Sequence, residues 1–184
     1  MKRNKATIQT SMQIDPLTGV GNRRQLDEAL AAEVERSQRH HRLLCLLMTD
    51  LDYFKDINDR YGHALGNEVL RCFAMLLREY CRQSDLVARF DGEEFVMLLP
   101  GTSLKNAVAR AERIRQRLER QPLAAQVGRV TASFGIAMLG RDEEDGDLMR
   151  RADQALYRSK KEGRNRITQS VVAGQDAAPD VGCC

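Results

Sequence analysis

Proline occurs only 4 times in 184 residues, and no apolar run is longer than Leu43–Met48. With 30% charged and 42% hydrophobic residues, the chain departs from collagen-like and largely disordered compositions and fits one globular domain. The short apolar runs fall far below the roughly 20 residues that a membrane-spanning helix needs. The start, MKRNKATIQTSMQ, is positive but has no apolar stretch behind it, so it is not built as a secretory signal. No CxxC pair is present, and His40, His41 and His63 lack zinc-ligand spacing. Cys45, Cys72 and Cys81 fall in apolar or helical segments, where a free thiol packs as a small hydrophobe; Cys183 and Cys184 end a polar tail. The expected compartment is the reducing cytoplasm. No single sign of charge prevails: 29 Lys+Arg against 26 Asp+Glu, interspersed, offer no footprint for nucleic acid. Also missing are a GxxxxGK[ST] loop and a dinucleotide fingerprint, and a calcium loop starting at Asp50 fails at Phe54.

What is present is periodicity. DPLTG at 15–19 has turn chemistry, with Asp15 and Thr18 as capping residues. Leu26, Ala29, Leu30 and Val34 repeat at helical spacing, predicting a helix over Arg23–His40. Leu43–Thr49 reads as a buried strand that stops at Asp50-Leu51-Asp52. A short helix over Tyr53–Tyr61 follows, then a break at Gly62/Gly66, then a helix over Asn67–Cys81. Asp91-Gly92-Glu93 between Leu86–Phe90 and Glu94–Leu99 is a hairpin signal. An Arg-rich helix over Ser103–Arg120, a strand over Arg129–Leu139, a helix over Leu148–Lys161 and a short strand at Ile167 complete the pattern.

The order strand, helix, hairpin, helix, strand is βαββαβ, the pattern of a ferredoxin-like sheet, an α/β (α+β) fold flanked by helices. In it the first two core strands run parallel, so Asp50 and the hairpin acids Asp91, Glu93 and Glu94 gather at one sheet edge. Such carboxylates suit one or two Mg²⁺ ions acting on phosphates. They read equally well, with Asp52, as ordinary polar strand ends.

Four blocks narrow the choice: DPLTGVGNRR at 15–24, TDLDYFKDINDRYGHALGNEVL at 49–70, ARFDGEEF at 88–95 and RRADQALYRSKKEGRNRI at 150–167. In content, order and spacing they resemble the GGDEF domain of bacterial diguanylate cyclases, with DGEEF as a variant signature. The resemblance implies a palm-like, nucleotidyl cyclase-like fold over 15–168. Residues 1–14 are then a leader or linker helix, and 169–184 a disordered tail. It implies condensation of two GTP into cyclic di-GMP plus pyrophosphate across a homodimer, in bacterial signalling such as biofilm control. Mg²⁺ or Mn²⁺ would be held by Asp50, the Leu51 carbonyl and Glu93, with Glu93, Glu94 and Lys55 in catalysis. Lys55, Lys160 and Arg164 match phosphate-contacting cations, and Asn58 matches a guanine-binding amide. Asn22 and Arg23 would brace the fold.

Two positions depart from the family. Asn67 stands where an Asp usually accepts from guanine, which relaxes base choice. Asp91 replaces the first Gly of the signature beside Gly92, placing an extra carboxylate near the triphosphate. Arg82-Gln83-Ser84-Asp85 matches the inhibitory RxxD site for product, with Arg113 auxiliary; an exposed i,i+3 ion pair is the alternative. The remaining arginines of Ser103–Arg120 read as a solvated face. The competing function is a degenerate domain that senses cyclic di-GMP or GTP. The blocks leave no room for an attached sensor, so regulation is expected from the product site, a partner or a piece absent from this chain.

Overall fold

The computed structural model describes residues 13–170. The elements are α1 (Arg23–His40), β1 (Leu44–Leu51), α2 (Phe54–Tyr61), α3 (His63–Glu79), β2 (Leu86–Asp91) and β3 (Glu94–Pro100). They continue with α4 (Leu104–Arg120), β4 (Ala132–Met138), α5 (Asp145–Lys161) and β5 (Ile167–Ser170). The sheet order is β2-β3-β1-β4-β5. β1 is antiparallel to both β3 and β4, β2 is antiparallel to β3, and β4–β5 is parallel. Because β1 and β2 both oppose β3, they run the same way and their C-terminal ends share an edge, as expected.

Every residue of β1 is buried, which its unbroken apolar run demands of a strand covered on both faces. Alternate side chains divide between two cores. Cys45, Leu47 and Leu51 join Val69, Phe73, Ile114 and Leu118 under α3 and α4. Leu44, Leu46 and Met48 join Leu26, Leu30, Leu148 and Leu156 under α1 and α5. Phe73 meets Phe95 edge-on at 5.3 Å, tying α3 to β3. Each such fully buried Leu or Phe contributes about 1.5–3 kcal/mol over an exposed one.

Local signals set most ends. The Asn22 side chain accepts from Gln25 N–H and starts α1, and Ser103 does the same for α4. Asp15 accepts from both Thr18 N–H (2.8 Å) and Thr18 Oγ1 (2.6 Å), closing the turn rather than capping a helix. Arg23 lies over the Phe90 ring, bracing α1 on β2.

Four boundaries move by three residues or more. α3 begins at His63, with Gly66 inside it instead of before it. A Cβ at Gly66 would fall 1.9 Å from Asn58 Oδ1, so glycine is there for the close α2–α3 approach. β4 begins at Ala132 rather than Arg129, and α5 begins at Asp145 rather than Leu148, with Asp145 and Asp147 in its first turn, where acids favour a helix N-terminus. β5 runs to Ser170, so Gln169 and Ser170 belong to the sheet rather than a tail. The rest of the expected leader and tail lies outside the described residues, apart from Gln13, which accepts from Asn22 N–H, and Ile14, which bridges Gly21.

Candidate active site

The DLDYF stretch leaves the sheet at the C-terminal end of β1 and turns into α2. Asp50 is the register partner of Glu94 across β1–β3, and Glu94 is also paired with Asp91 beyond a bulge in β2. The hairpin turn holds Glu93, close enough that its charge acts on both Asp50 and Glu94. Lys160, in the last turn of α5, donates to Asp50 Oδ2 at 2.7 Å and lies 3.7 Å from Glu94 Oε1. Burial pushes the Asp50 carboxyl up to about 6; Lys160 opposes the rise and Glu93 and Glu94 add to it. Glu94 is raised as well, again by burial first, with Asp153, Asp91 and Glu93 adding to it against Lys160. Five acids thus act on one another around a single ammonium.

Lys160 reaches this edge because α5 lies unusually close to β4. A Cβ on Gly135 would sit 2.2 Å from Ala152 O and Leu156 N, so only glycine permits the packing. Ser159 Oγ donates to Phe134 O at 2.7 Å and pins the helix one residue before the lysine.

Asp52 does different work from Asp50. Its carboxylate accepts from Thr131 Oγ1 (2.7 Å), Ser133 Oγ (2.7 Å) and Asn165 N–H (3.0 Å), sewing the end of β1 to β4 and to the loop after α5. Next to it, Arg164 stacks over the Tyr53 ring at 4.7 Å. Tyr53 and Arg164 both hold positive φ, 57° and 62°, a conformation that costs non-glycine residues energy and concentrates at functional sites. Lys55 stands exposed in the first turn of α2. Asn58 and the half-buried Asn67 flank Gly66 at the α2–α3 elbow.

Asp91 fits its place without strain. It is exposed and has no positive φ, whereas Gly92 does, at 41°. The first signature position therefore does not require glycine for its backbone here. Arg89, unremarked in the sequence, holds the turn: Nε donates to Gly92 O at 2.7 Å and the guanidinium reaches Asp15 at 3.4 Å.

The RxxD segment lies at the opposite edge, before β2. Asp85 accepts from the Arg82 backbone N–H at 2.8 Å, not from its side chain, so the exposed ion-pair alternative does not hold. Its ion-pair partner is Arg110 of α4, and the pair is closed off, with side-chain exposures of 0% for Asp85 and 7% for Arg110. The expectation of a solvated arginine face on this helix fails at Arg110, whose neighbours Ala107, Ala111 and Ile114, at i−3, i+1 and i+4, are buried with it. It fails again at Arg115, which binds Glu112, Glu119 and Asn165. Arg113 is exposed and donates to Ala109 O within its own helix. Arg82 is exposed, beside a cavity of about 370 Å³ that Arg78 and Gln25 also line.

Oxygen donors at Asp50, Leu51 O, Glu93 and Glu94 suit a hard divalent cation by chemistry. Among the described residues, no three acidic, His or Cys side chains already converge as a metal cage. Lys160 stands between Asp50 and Glu94 instead.

A mixed sheet with an antiparallel core of ferredoxin-like order, with acids at the strand ends under one lysine, defines a nucleotidyl cyclase-like domain. The family model described as "Diguanylate cyclase, GGDEF domain" matches residues 12–166. The chain belongs to the GGDEF family. It is 44% identical over 155 residues to diguanylate cyclase DgcP of Pseudomonas aeruginosa, covering 83% of this chain and 23% of that protein. It is 40% identical over 170 residues to diguanylate cyclase DgcM of Escherichia coli K12, covering 90% of this chain and 40% of that one. The chain thus spans less than half the length of these relatives. Among solved structures, the coiled coil and GGDEF domain of DgcB from Caulobacter crescentus, in complex with c-di-GMP, superimposes with a TM-score of 0.88. That match has 29% identity and covers 92% of this chain and 91% of that one. No helix among the described residues is long and apolar enough to cross a membrane.

Proposed function

We propose that the domain is a diguanylate cyclase joining two GTP into cyclic di-GMP in the cytoplasm, with release of two pyrophosphates. The observation that carries this is the pairing of Asp50 with Glu94 across β1–β3, both under Lys160 and both with carboxyls raised by burial. Asp50, Leu51 O and Glu93 would hold Mg²⁺ or Mn²⁺, which supplies charge neutralisation at the triphosphate. Lys55, Lys160 and Arg164 bind and orient phosphoryl oxygens. Tyr53, stacked under Arg164, holds that guanidinium in place. Glu94, with its raised carboxyl, takes the proton as the 3′-oxygen of one GTP attacks the α-phosphorus of the other. Because each chain holds one GTP at an open edge, the two bonds form where two chains meet face to face. The exposed Arg82 and Arg113 give a cationic face for cyclic di-GMP as inhibitor, with Asp85 set behind them by Arg110.

Asn67 favours one variation, relaxed choice of base, since its amide offers guanine a donor where a carboxylate would only accept. The test incubates purified protein with GTP, ATP and their mixture, with Mg²⁺ or Mn²⁺, and resolves the products by chromatography. Cyclic di-GMP is expected. An adenine-containing product assigns the relaxation to Asn67, and no cyclic dinucleotide at all leaves the domain a receptor.

A further inference from the structure

We propose that Lys160 is the resident cation of the nucleotide-free site, held by Asp50 and Glu94 until a divalent ion displaces its ammonium onto the incoming triphosphate. The proposal rests on the reading of Asp50 as a metal ligand and goes beyond it, because it makes one lysine a partner of both the ion and the nucleotide. The ammonium lies 2.7 Å from Asp50 Oδ2 and 3.7 Å from Glu94 Oε1. Asp50 Oδ2 is an oxygen the metal would need, and a lone pair engaged by an ammonium at hydrogen-bond distance is not available to a metal.

The two ends of the lysine are held differently. Its backbone is fixed by the Gly135–Leu156 close approach and by the Ser159–Phe134 hydrogen bond, so the Cα cannot retreat. Its side chain is 30% exposed, against 9% for Asp50, so the tip can leave while the carboxylate stays. A compact charge on a four-carbon stem suits such an exchange better than a guanidinium fork. Without the ammonium, Asp50 would face the charges of Glu93 and Glu94 alone. An incoming triphosphate offers the displaced ammonium new acceptors. Metal and nucleotide therefore help each other bind, each relieving a cost that the other would meet alone.

The test is direct binding of Mn²⁺, read by electron paramagnetic resonance of the free ion, with and without a non-reactive α,β-methylene GTP analogue. No turnover is needed. Lys160→Met should bind Mn²⁺ about tenfold more tightly than wild type without nucleotide, and gain about tenfold less from the analogue. Lys160→Arg keeps a cation in place and should remain weak for Mn²⁺ alone. Nucleotide-free Mn²⁺ affinity unchanged or lowered in Lys160→Met, with Mn²⁺ binding still abolished by Asp50→Asn, overturns the exchange but leaves the metal site. Mn²⁺ binding indifferent to Asp50→Asn, even with the analogue, overturns the metal site and the exchange with it.

Discussion

Asp50 and Asp85 are both buried carboxylates that accept from a cation on a following helix, yet they lie at opposite ends of the sheet strands and keep different company. Asp85 and Arg110 are a closed pair, one charge against one charge, with the Arg82 N–H taking up a further lone pair. Asp50 shares its half-exposed lysine with Glu94, and Glu93, Asp91 and Asp153 add negative charge nearby. A balanced, dry pair orients a turn. An unbalanced group, open on one side, holds places for a ligand's charge. Fractional burial alone would not have separated the two.

Breaking the unbalanced side should have the largest effect on function. Asp50→Asn is expected to lower cyclic dinucleotide formation by roughly a thousandfold while the melting temperature stays near that of wild type, measured by product chromatography and calorimetry. Breaking the balanced side should instead strike stability. Arg110→Leu leaves the Asp85 carboxylate buried without its counter-charge, at a cost of about 3–5 kcal/mol by urea unfolding. Adding Asp85→Leu to it should restore most of that loss; a double variant no more stable than the single one would contradict the closed-pair reading. Gly135→Ala forces a methyl against the backbone of Ala152 and Leu156 and should destabilise by about 1–3 kcal/mol, with a fall in activity because Lys160 shifts with α5.

A smaller change is expected at the product face. Arg82→Ala should raise the cyclic di-GMP concentration for half-inhibition by about tenfold, since it removes an exposed charge-assisted contact without opening the Asp85–Arg110 pair. The smallest effects concern thiols. Burial pushes Cys45 and Cys81 up to about 12, with Asp85 adding to the rise at Cys81 and Arg110 opposing it at both. Both should resist iodoacetamide at pH 8.5 in the native protein and react after unfolding, as peptide mass mapping would show. The sign of the linkage follows. Above about pH 9 the unfolded thiol loses its proton while the native one keeps it, so stability falls as the pH rises from there toward about 12.

The local order of elements was legible because periodicity, caps and a DG hairpin are short-range signals. Asn22, Ser103, the continuous apolar run of β1 and the helical stripe of α1 all act within a few residues. Asp50 and Glu94 were also named, from the shared sheet edge, and Lys160 from the family blocks. Their mutual distances were not legible, since they lie on three elements up to 110 residues apart. Asp52 read only as an ordinary polar strand end, because type and spacing cannot say which carboxylate meets Thr131 and Ser133. Arg110 was hidden among arginines of similar spacing, although its burial beside Ala107, Ala111 and Ile114 follows from the helical stripe. Gly66 read as a break because a glycine that ends helices and one that admits a neighbouring side chain are the same letter.

The scarcities first noted, few prolines and no long apolar run, determined by themselves that the chain is a globular domain without a membrane-spanning helix among its described residues. Its patterning determined a βαββαβ order and placed acids at strand ends. Only tertiary structure decided which acids meet a lysine and which are spent on hydroxyls or an arginine. Charge interactions fall off over a few ångströms, and which side chains come that close is set by packing: here, by a missing Cβ at Gly135 that lets α5 bring Lys160 over the end of β1.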